Sequence, residues 1–523
     1  MDERPGSVIS WRYRIALLGG LLGLIILVVT RLDFTAIVVS PTPAATPTGT
    51  PRATPTSTPT PTRTPAPPPP GPVPPFAIDM SGLDTDYAMR DLAVAAGFRW
   101  VRTFVGWGDI EPNGPVNGQH TYNWPDNLFD IYRNDRRLSP LVVVAAPNPN
   151  WAVPSGQRVC GPIDPAHLDD FGEFVYQLVS RYADVASHWV FYNEQDQWTH
   201  KDLHDAGGCW GGHGAEYAQM LALAWDVAHS ASPDAQVLFG GVAYEPAWDQ
   251  DRVWDRFFLR DVFRYMRDNP PPPGRDYVDI IMANQYDFGR DDWDGGDGTL
   301  PQNQDILAKF RQAVSDVSFN PSTSGAYSIA RWQSEYGLDK PMGASEVGLQ
   351  VSLDCSDVEV CEELQARHVV HVNVRGMAAD LKFITWYTLV DKATDALKYG
   401  LLRSDLTPRP AYTAYQALTQ QLDGYEFDQQ LIVSGKPRIQ AYRFDKEGVK
   451  KLVLWRDSGE RIKRQDKDAA ETMIVGAAEL GTWTGWVMIT DKLGRSRVLR
   501  EPIEITLGIS SDPVFVQNVL ATP

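Results

Sequence analysis

The sequence has little cysteine: four residues in 523, Cys160, Cys209, Cys355 and Cys361, with no CxxC spacing among them. A thiol redox centre or a zinc ribbon therefore has little support. Positive charge is also scarce, with 48 Lys and Arg against 66 Asp and Glu and a net charge of -18. That argues against nucleic acid as a partner, because phosphate binding needs clustered Lys and Arg, and favours a neutral or cationic ligand. No GxGxxG follows any strand-like run, which weakens an open dinucleotide-binding sheet. His200, His204 and His213 flank Cys209 in THKDLHDAGGCWGGH without a standard zinc spacing, so the stretch reads as a loop. The acidic run 291–298, DDWDGGDG, lacks the EF-hand order and its terminal Glu, and reads as an acidic lid.

One apolar run bears on a membrane. Residues 15–29 are preceded by Arg4, Arg12 and Arg14, with Trp11 and Tyr13 at the interface. Residues 15–32 are therefore expected to form a transmembrane signal-anchor, with 1–14 cytoplasmic and everything after it extracellular. A cleaved signal peptide, leaving a secreted protein, is the rival; no small-x-small site closely follows Val29, and Arg31 comes at once. The 40 prolines concentrate just beyond. Residues 33–75, ending in TPTSTPTPTRTPAPPPPGPVPP, cannot bury enough surface to fold and are expected to be a disordered, extended linker, open to O-glycosylation.

From residue 76 short β-rich runs alternate with amphipathic helical stretches, the mark of a parallel α/β sheet. Strands are expected at 76–80 (FAIDM), 99–105 (RWVRTFV), 141–146 (LVVVAA), 188–194 (HWVFYNE), 236–243 (QVLFGGVA), 278–286 (VDIIMANQY), 341–348 (PMGASEVG) and 382–390 (KFITWYTLV). Helical patterns cover 168–182, 215–231 and 364–381, and a last one covers 411–422. Eight such units point to an α/β class (β/α)8 TIM barrel over 76–424, with an open doubly wound sheet as the rival. After Tyr425 the pattern changes to alternation, as in IQAYRF, KLVLWR, TGWVMITD and IEITL. Residues 425–523 are expected to form an accessory antiparallel β-sandwich.

Working residues of a TIM barrel lie at the C-terminal strand ends. Those ends supply Arg102, Asn148, Asn193, Glu194, Glu245, Tyr286, Glu346 and Trp386. Two carboxylates facing across the mouth are what glycoside hydrolysis needs, and Glu194 with Glu346 is the obvious pair. Glu111 and Glu335 are expected to be solvated loop residues. The cysteines allow three connectivities in an oxidising compartment. The barrel sets the loops after strands three and four side by side, favouring Cys160 with Cys209, and leaves Cys355 and Cys361 in one loop.

FYNEQD at strand four is similar to the Asn-Glu motif of clan A glycoside hydrolases, and ASEVG at strand seven resembles that clan's nucleophile strand. ITWYTLVD, PRPAYTAYQAL and the terminal SSDPVFVQ also resemble family 39 and related members, so the likeness runs from residue 76 to the C-terminus. It implies retaining cleavage of β-glycosidic bonds in oligo- or polysaccharides. Glu346 would form a covalent glycosyl-enzyme, and Glu194 would act first as acid and then as base, with the carboxyl groups about 5 Å apart. The resemblance further implies that Asn193 binds the sugar 2-hydroxyl, Tyr286 holds Glu346, Arg102 keeps that carboxylate ionised, and Trp386 forms a floor for a sugar ring. Carbohydrate is the implied partner, and no cofactor or metal is expected. The chain departs from the clan at Gln195 and Asp196, where Pro commonly follows Asn-Glu. A carbohydrate-binding barrel without turnover, and a transglycosylase, stay open as alternatives.

Overall fold

The computed structural model describes residues 74–155, 159–197, 210–243, 255, 257–286, 336–351, 357–394, 398–436, 438–456, 470–480, 485–500 and 504–519. The apolar run 15–29, most of the linker, Glu245, Glu335, His200, His204 and the acidic run 291–298 lie outside them. Among the described residues no helix is long and apolar enough to cross a membrane.

Eight parallel strands close into a barrel in chain order. They are β1 Phe76–Asp79, β2 Trp100–Gly106, β3 Ser139–Ala145, β4 His188–Asn193, β5 Gln236–Val242, β6 Ile280–Tyr286, β7 Met342–Gly348 and β8 Ile384–Tyr387. The run LVVV in β3 shows why such strands are apolar throughout. Leu141 and Val143 fill the barrel interior, while Val142 and Val144 pack outward into the larger core shared with the helices. Trp100, His188 and Phe383 plug the interior edge-to-face, with ring centroids 4.9 to 5.3 Å apart. Burial pushes the His188 imidazole down to about 4, so this plug is neutral at physiological pH.

The helices present their apolar stripes to that outer core. Leu168–Tyr182 buries Phe171, Phe174, Val175, Leu178, Val179 and Tyr182, the three-and-four spacing of one helical face. Val358–Ala378 starts earlier than its apolar periodicity suggests because the Asp357 carboxylate accepts the Val360 N–H at 3.3 Å as an N-cap. It buries Gln365, His368, His371 and Arg375 as well as Val369, Val370, Val372 and Val374.

The C-terminal residues form two antiparallel sheets. The strands are β9 Glu426–Gln430, β10 Ile439–Lys446, β11 Val449–Arg456, β12 Glu471–Val475, β13 Trp486–Asp491, β14 Ser496–Arg500, β15 Ile505–Ile509 and β16 Val514–Val519. Six pair in the order β14-β13-β16-β11-β10-β9, and β12 pairs with β15. Glu447 and Gly448, with φ of 52° and 86°, make the tight β10–β11 turn, whose two left-handed positions match the twist of a hairpin. Alternation along this hairpin splits its side chains. Ala441, Leu452 and Leu454 face a separate core with Met473, Val475 and Leu507, whereas Tyr442, Phe444, Val453 and Trp455 join the barrel's outer core. Trp455 stacks between His371 and Tyr442, at centroid distances of 4.4 and 5.0 Å. Cys160 and Cys361 are both disulfide-bonded; Cys209 and Cys355 lie outside the described residues.

Candidate active site

Arg102 organises the mouth of the barrel. In β2, Val101 and Val105 pack outward, so alternation turns Arg102 and Phe104 inward. Its Nη1 donates to Asp79 Oδ2 at 3.2 Å and to Glu346 Oε1, and its Nη2 donates to Asn193 Oδ1 at 2.6 Å. One buried guanidinium thus ties β1, β2, β4 and β7, a task suited to a planar fork of donors.

At the end of β4 regular strand geometry fails. Tyr192 and Glu194 have φ of 66° and 51°, left-handed positions that cost roughly 1–2 kcal/mol each for residues with a Cβ. The surroundings hold them there. The Tyr192 hydroxyl donates to Asn148 Oδ1 at 2.7 Å, and the Glu194 N–H donates to the Gly241 carbonyl at 2.7 Å. Gln195 Nε2 donates to the Gly240 carbonyl at 2.8 Å, and the Ala243 N–H reaches both oxygens of Asp196. Gln195 and Asp196 are therefore buried anchors of the β4 end rather than cleft residues.

β7 is irregular too. Its pairing shifts register against β6 after Ala344 and against β8 between Ala344 and Val347. Ala344 and Val347 both belong to the outer core although they are three residues apart. A bulge is what lets Ser345 and Glu346 both turn toward the mouth between them.

The two glutamates feel each other. Burial, then the charge of Glu346, then that of Asp196 push the Glu194 carboxyl up to about 8, against lowering by Asn284 and Arg102. Asp79 is also pushed above its ordinary value, mainly by burial, with Arg102 opposing and Glu346 adding to the shift. A half-buried carboxyl that keeps its proton near neutrality, opposite an arginine-bound carboxylate side chain, can supply a proton on one side of a bond and a nucleophile on the other.

Among the expected site residues, Arg102, Asn193, Glu194 and Glu346 come together here. Tyr286 ends β6 opposite Gly348, but its side chain, like Glu245, lies outside the described residues. Two expectations are corrected. Trp386 is wholly buried, packs beside His368 and donates its indole N–H to the Tyr399 carbonyl at 3.2 Å, so it offers no face to a sugar. β8 alternation instead turns Tyr387 inward, in register with Asp79 and edge-on to Tyr399 at 5.6 Å. Asn148 is buried and spends its amide on Tyr192 and on the Gly161 carbonyl, 2.9 Å away, so it braces the β4 end instead of meeting a ligand.

Glu111 is a third correction, since it is fully buried. It accepts from Trp107 Nε1 at 2.9 Å and lies 2.6 Å from His120 Nδ1. Asp79, Asn284, Ser345 and Tyr387 were missed by sequence reasoning. Asp79 and Asn284 carried a signal, being polar residues near the ends of apolar strands.

No family model matches the sequence, and no curated protein does. Solved structures do share its fold. A family 39 glycoside hydrolase from Bacteroides cellulosilyticus WH2 superposes with a TM-score of 0.60 at 16% identity, over 85% of this chain and 81% of that one. A monomeric β-xylosidase from Caulobacter crescentus CB15 gives 0.56 at 14% identity, over 86% and 97%. A family 30 endoxylanase from Clostridium papyrosolvens C71 gives 0.52 at 11% identity, over 85% and 95%. The fold is therefore one that glycoside hydrolases of families 39 and 30 adopt.

Proposed function

We propose that this chain is a retaining glycoside hydrolase that cleaves β-glycosidic bonds, with Glu346 as nucleophile and Glu194 as acid/base. The observation that carries the reading is the pairing of Glu194 from β4 with Glu346 from β7 around Arg102, with the Glu194 carboxyl pushed up to about 8. In the first step Glu346 attacks the anomeric carbon while Glu194 protonates the leaving oxygen. In the second, Glu194 takes a proton from water as it displaces Glu346. Asn193, fixed by Arg102, is available to the sugar's 2-hydroxyl.

Because two of the similar structures are described as a xylosidase and an endoxylanase, β-xylosides and xylan are the first substrates to try. The soluble piece from residue 74 onward is incubated with aryl β-glycosides and polysaccharides, and the anomer first formed is read by NMR. Retention is expected, with at least a thousandfold loss of turnover in Glu346→Gln. Inversion, or full activity in that variant, sinks the reading. A signal-anchor at 15–32 that holds the enzyme outside the cell, and disulfides Cys160–Cys209 and Cys355–Cys361, belong to the same proposal; membrane fractionation and non-reducing peptide mapping test them.

A further inference from the structure

Glu194 accepts a hydrogen bond from Asn284 Nδ2 at 3.0 Å, across from β6. The amide is oriented: Ser345 Oγ on β7 donates to Asn284 Oδ1 at 2.7 Å, which turns the amide nitrogen toward Glu194. The same nitrogen lies 3.4 Å from Asn193 Oδ1, so it also touches the residue beside the acid. β5 leaves the room, because a Cβ on Gly241 would collide with Ser345 Oγ and Asn284 Oδ1. Four consecutive strands therefore contribute to one contact on one carboxyl.

An amide N–H can only donate, and a donor stabilises a carboxylate over the neutral acid. The charged groups around Glu194 divide. Glu346 from β7 and Asp196 from its own segment oppose its ionisation, and Arg102 from β2 favours it, as Asn284 does. Asp79 from β1 stands behind Arg102. Of the two groups that favour the ionised form, Arg102 is already engaged by Asp79, Glu346 and Asn193. Asn284 is the one that bonds to Glu194 directly.

Resting on the two-glutamate reading, we propose that Asn284, oriented by Ser345, is a positioning residue for the second half of the reaction. In that half the water oxygen bonds to the anomeric carbon, and the bond to Glu346 breaks with its electron pair returning to that carboxylate. The proton of water passes to Glu194, which must start ionised. Asn284 holds it in that form and aims it.

The test uses Asn284→Ala and Ser345→Ala in the soluble enzyme with a 2,4-dinitrophenyl β-glycoside of the preferred sugar. That leaving group needs no proton, so the first step is insensitive to the acid form of Glu194. In Asn284→Ala, kcat falls about tenfold while kcat/KM holds, KM falls with it, and a burst of dinitrophenolate precedes steady state. Azide, a nucleophile that needs no base, restores turnover as the glycosyl azide. With a poor leaving group, the basic limb of kcat/KM moves up by about one pH unit. Ser345→Ala moves the same readouts by a smaller factor, and decides the matter alone if Asn284→Ala does not fold. Equal falls of kcat and kcat/KM without burst or azide rescue, or no change at all, overturn the proposal while leaving the two-glutamate reading intact. Wild-type enzyme that turns over no aryl glycoside, or inverts, overturns both.

Discussion

Glu194 is where local forces compete most openly. Its surroundings raise its proton affinity by burial and by two neighbouring carboxylates, and lower it by one amide and one guanidinium, with the raising side winning to about 8. A group that must donate a proton is competent below its pKa, so with a poor leaving group kcat/KM is expected to hold up to about pH 8 and fall above it. A pH profile whose basic limb lies near the ordinary glutamate value of 4.5 would falsify this assignment of the acid. Residue by residue, the sequence was readable where chemistry is scarce and unreadable where orientation matters. Glu194, Glu346 and Arg102 could be named because charged residues at the ends of apolar strands are conspicuous. Trp386 and Tyr387 are adjacent aromatics on one strand, and only the phase of that strand in the closed barrel decides which one faces the mouth. Glu111 was misjudged because its partners Trp107 and His120 come together only through the fold of the loop after β2.

Elements were legible wherever their periodicity is local. The eight barrel strands fall on the expected apolar runs, and the helix Leu168–Tyr182 falls on its expected span. What escaped was irregularity: the left-handed positions at Tyr192 and Glu194 and the bulge in β7, none of which a period of two can announce. The joint between the helices Tyr87–Ala95 and Pro410–Leu422 offers a separate test. Gly97 has φ of 91°, and a Cβ there would collide with the side chain of Thr419, whose hydroxyl donates to the Ala96 carbonyl at 2.8 Å. Gly97→Ala is expected to lower stability by about 2–3 kcal/mol, from left-handed strain plus overpacking, without changing kcat of the folded enzyme. Urea denaturation measures it, and a loss under ~0.5 kcal/mol would mean that the joint relaxes freely.

At the scale of the molecule, the C-terminal sheets are fastened to the barrel by buried polar groups as well as by Trp455. Lys451 on β11 donates to the carbonyl and to the side-chain oxygen of Gln421, and its ammonium lies 4.3 Å from the Tyr425 ring. Burial, helped by Lys446, pushes its pKa down from 10.5 to about 7. Between those values the unfolded chain holds a proton that the folded one lacks, so this group makes stability rise with pH from about 7 toward 10.5. Lys451→Met is expected to remove that rise, on the order of 5 kcal/mol across the whole interval, and to leave the variant relatively more stable at pH 6. Thermal unfolding of both proteins across that range checks the slope; parallel curves would mean that the lysine stays charged in the fold. The sequence by itself determined the alternation of strand and helix, the change to antiparallel pairing near Tyr425, and the placing of one glutamate at the fourth strand and one at the seventh, because those rest on local periodicity and on residue type. Tertiary structure alone decided which neighbours press on each carboxyl, which aromatic faces the mouth, and how Asn284 and Ser345 meet Glu194. Those are matters of strand phase and burial, set only when eight strands distant in sequence close on one another.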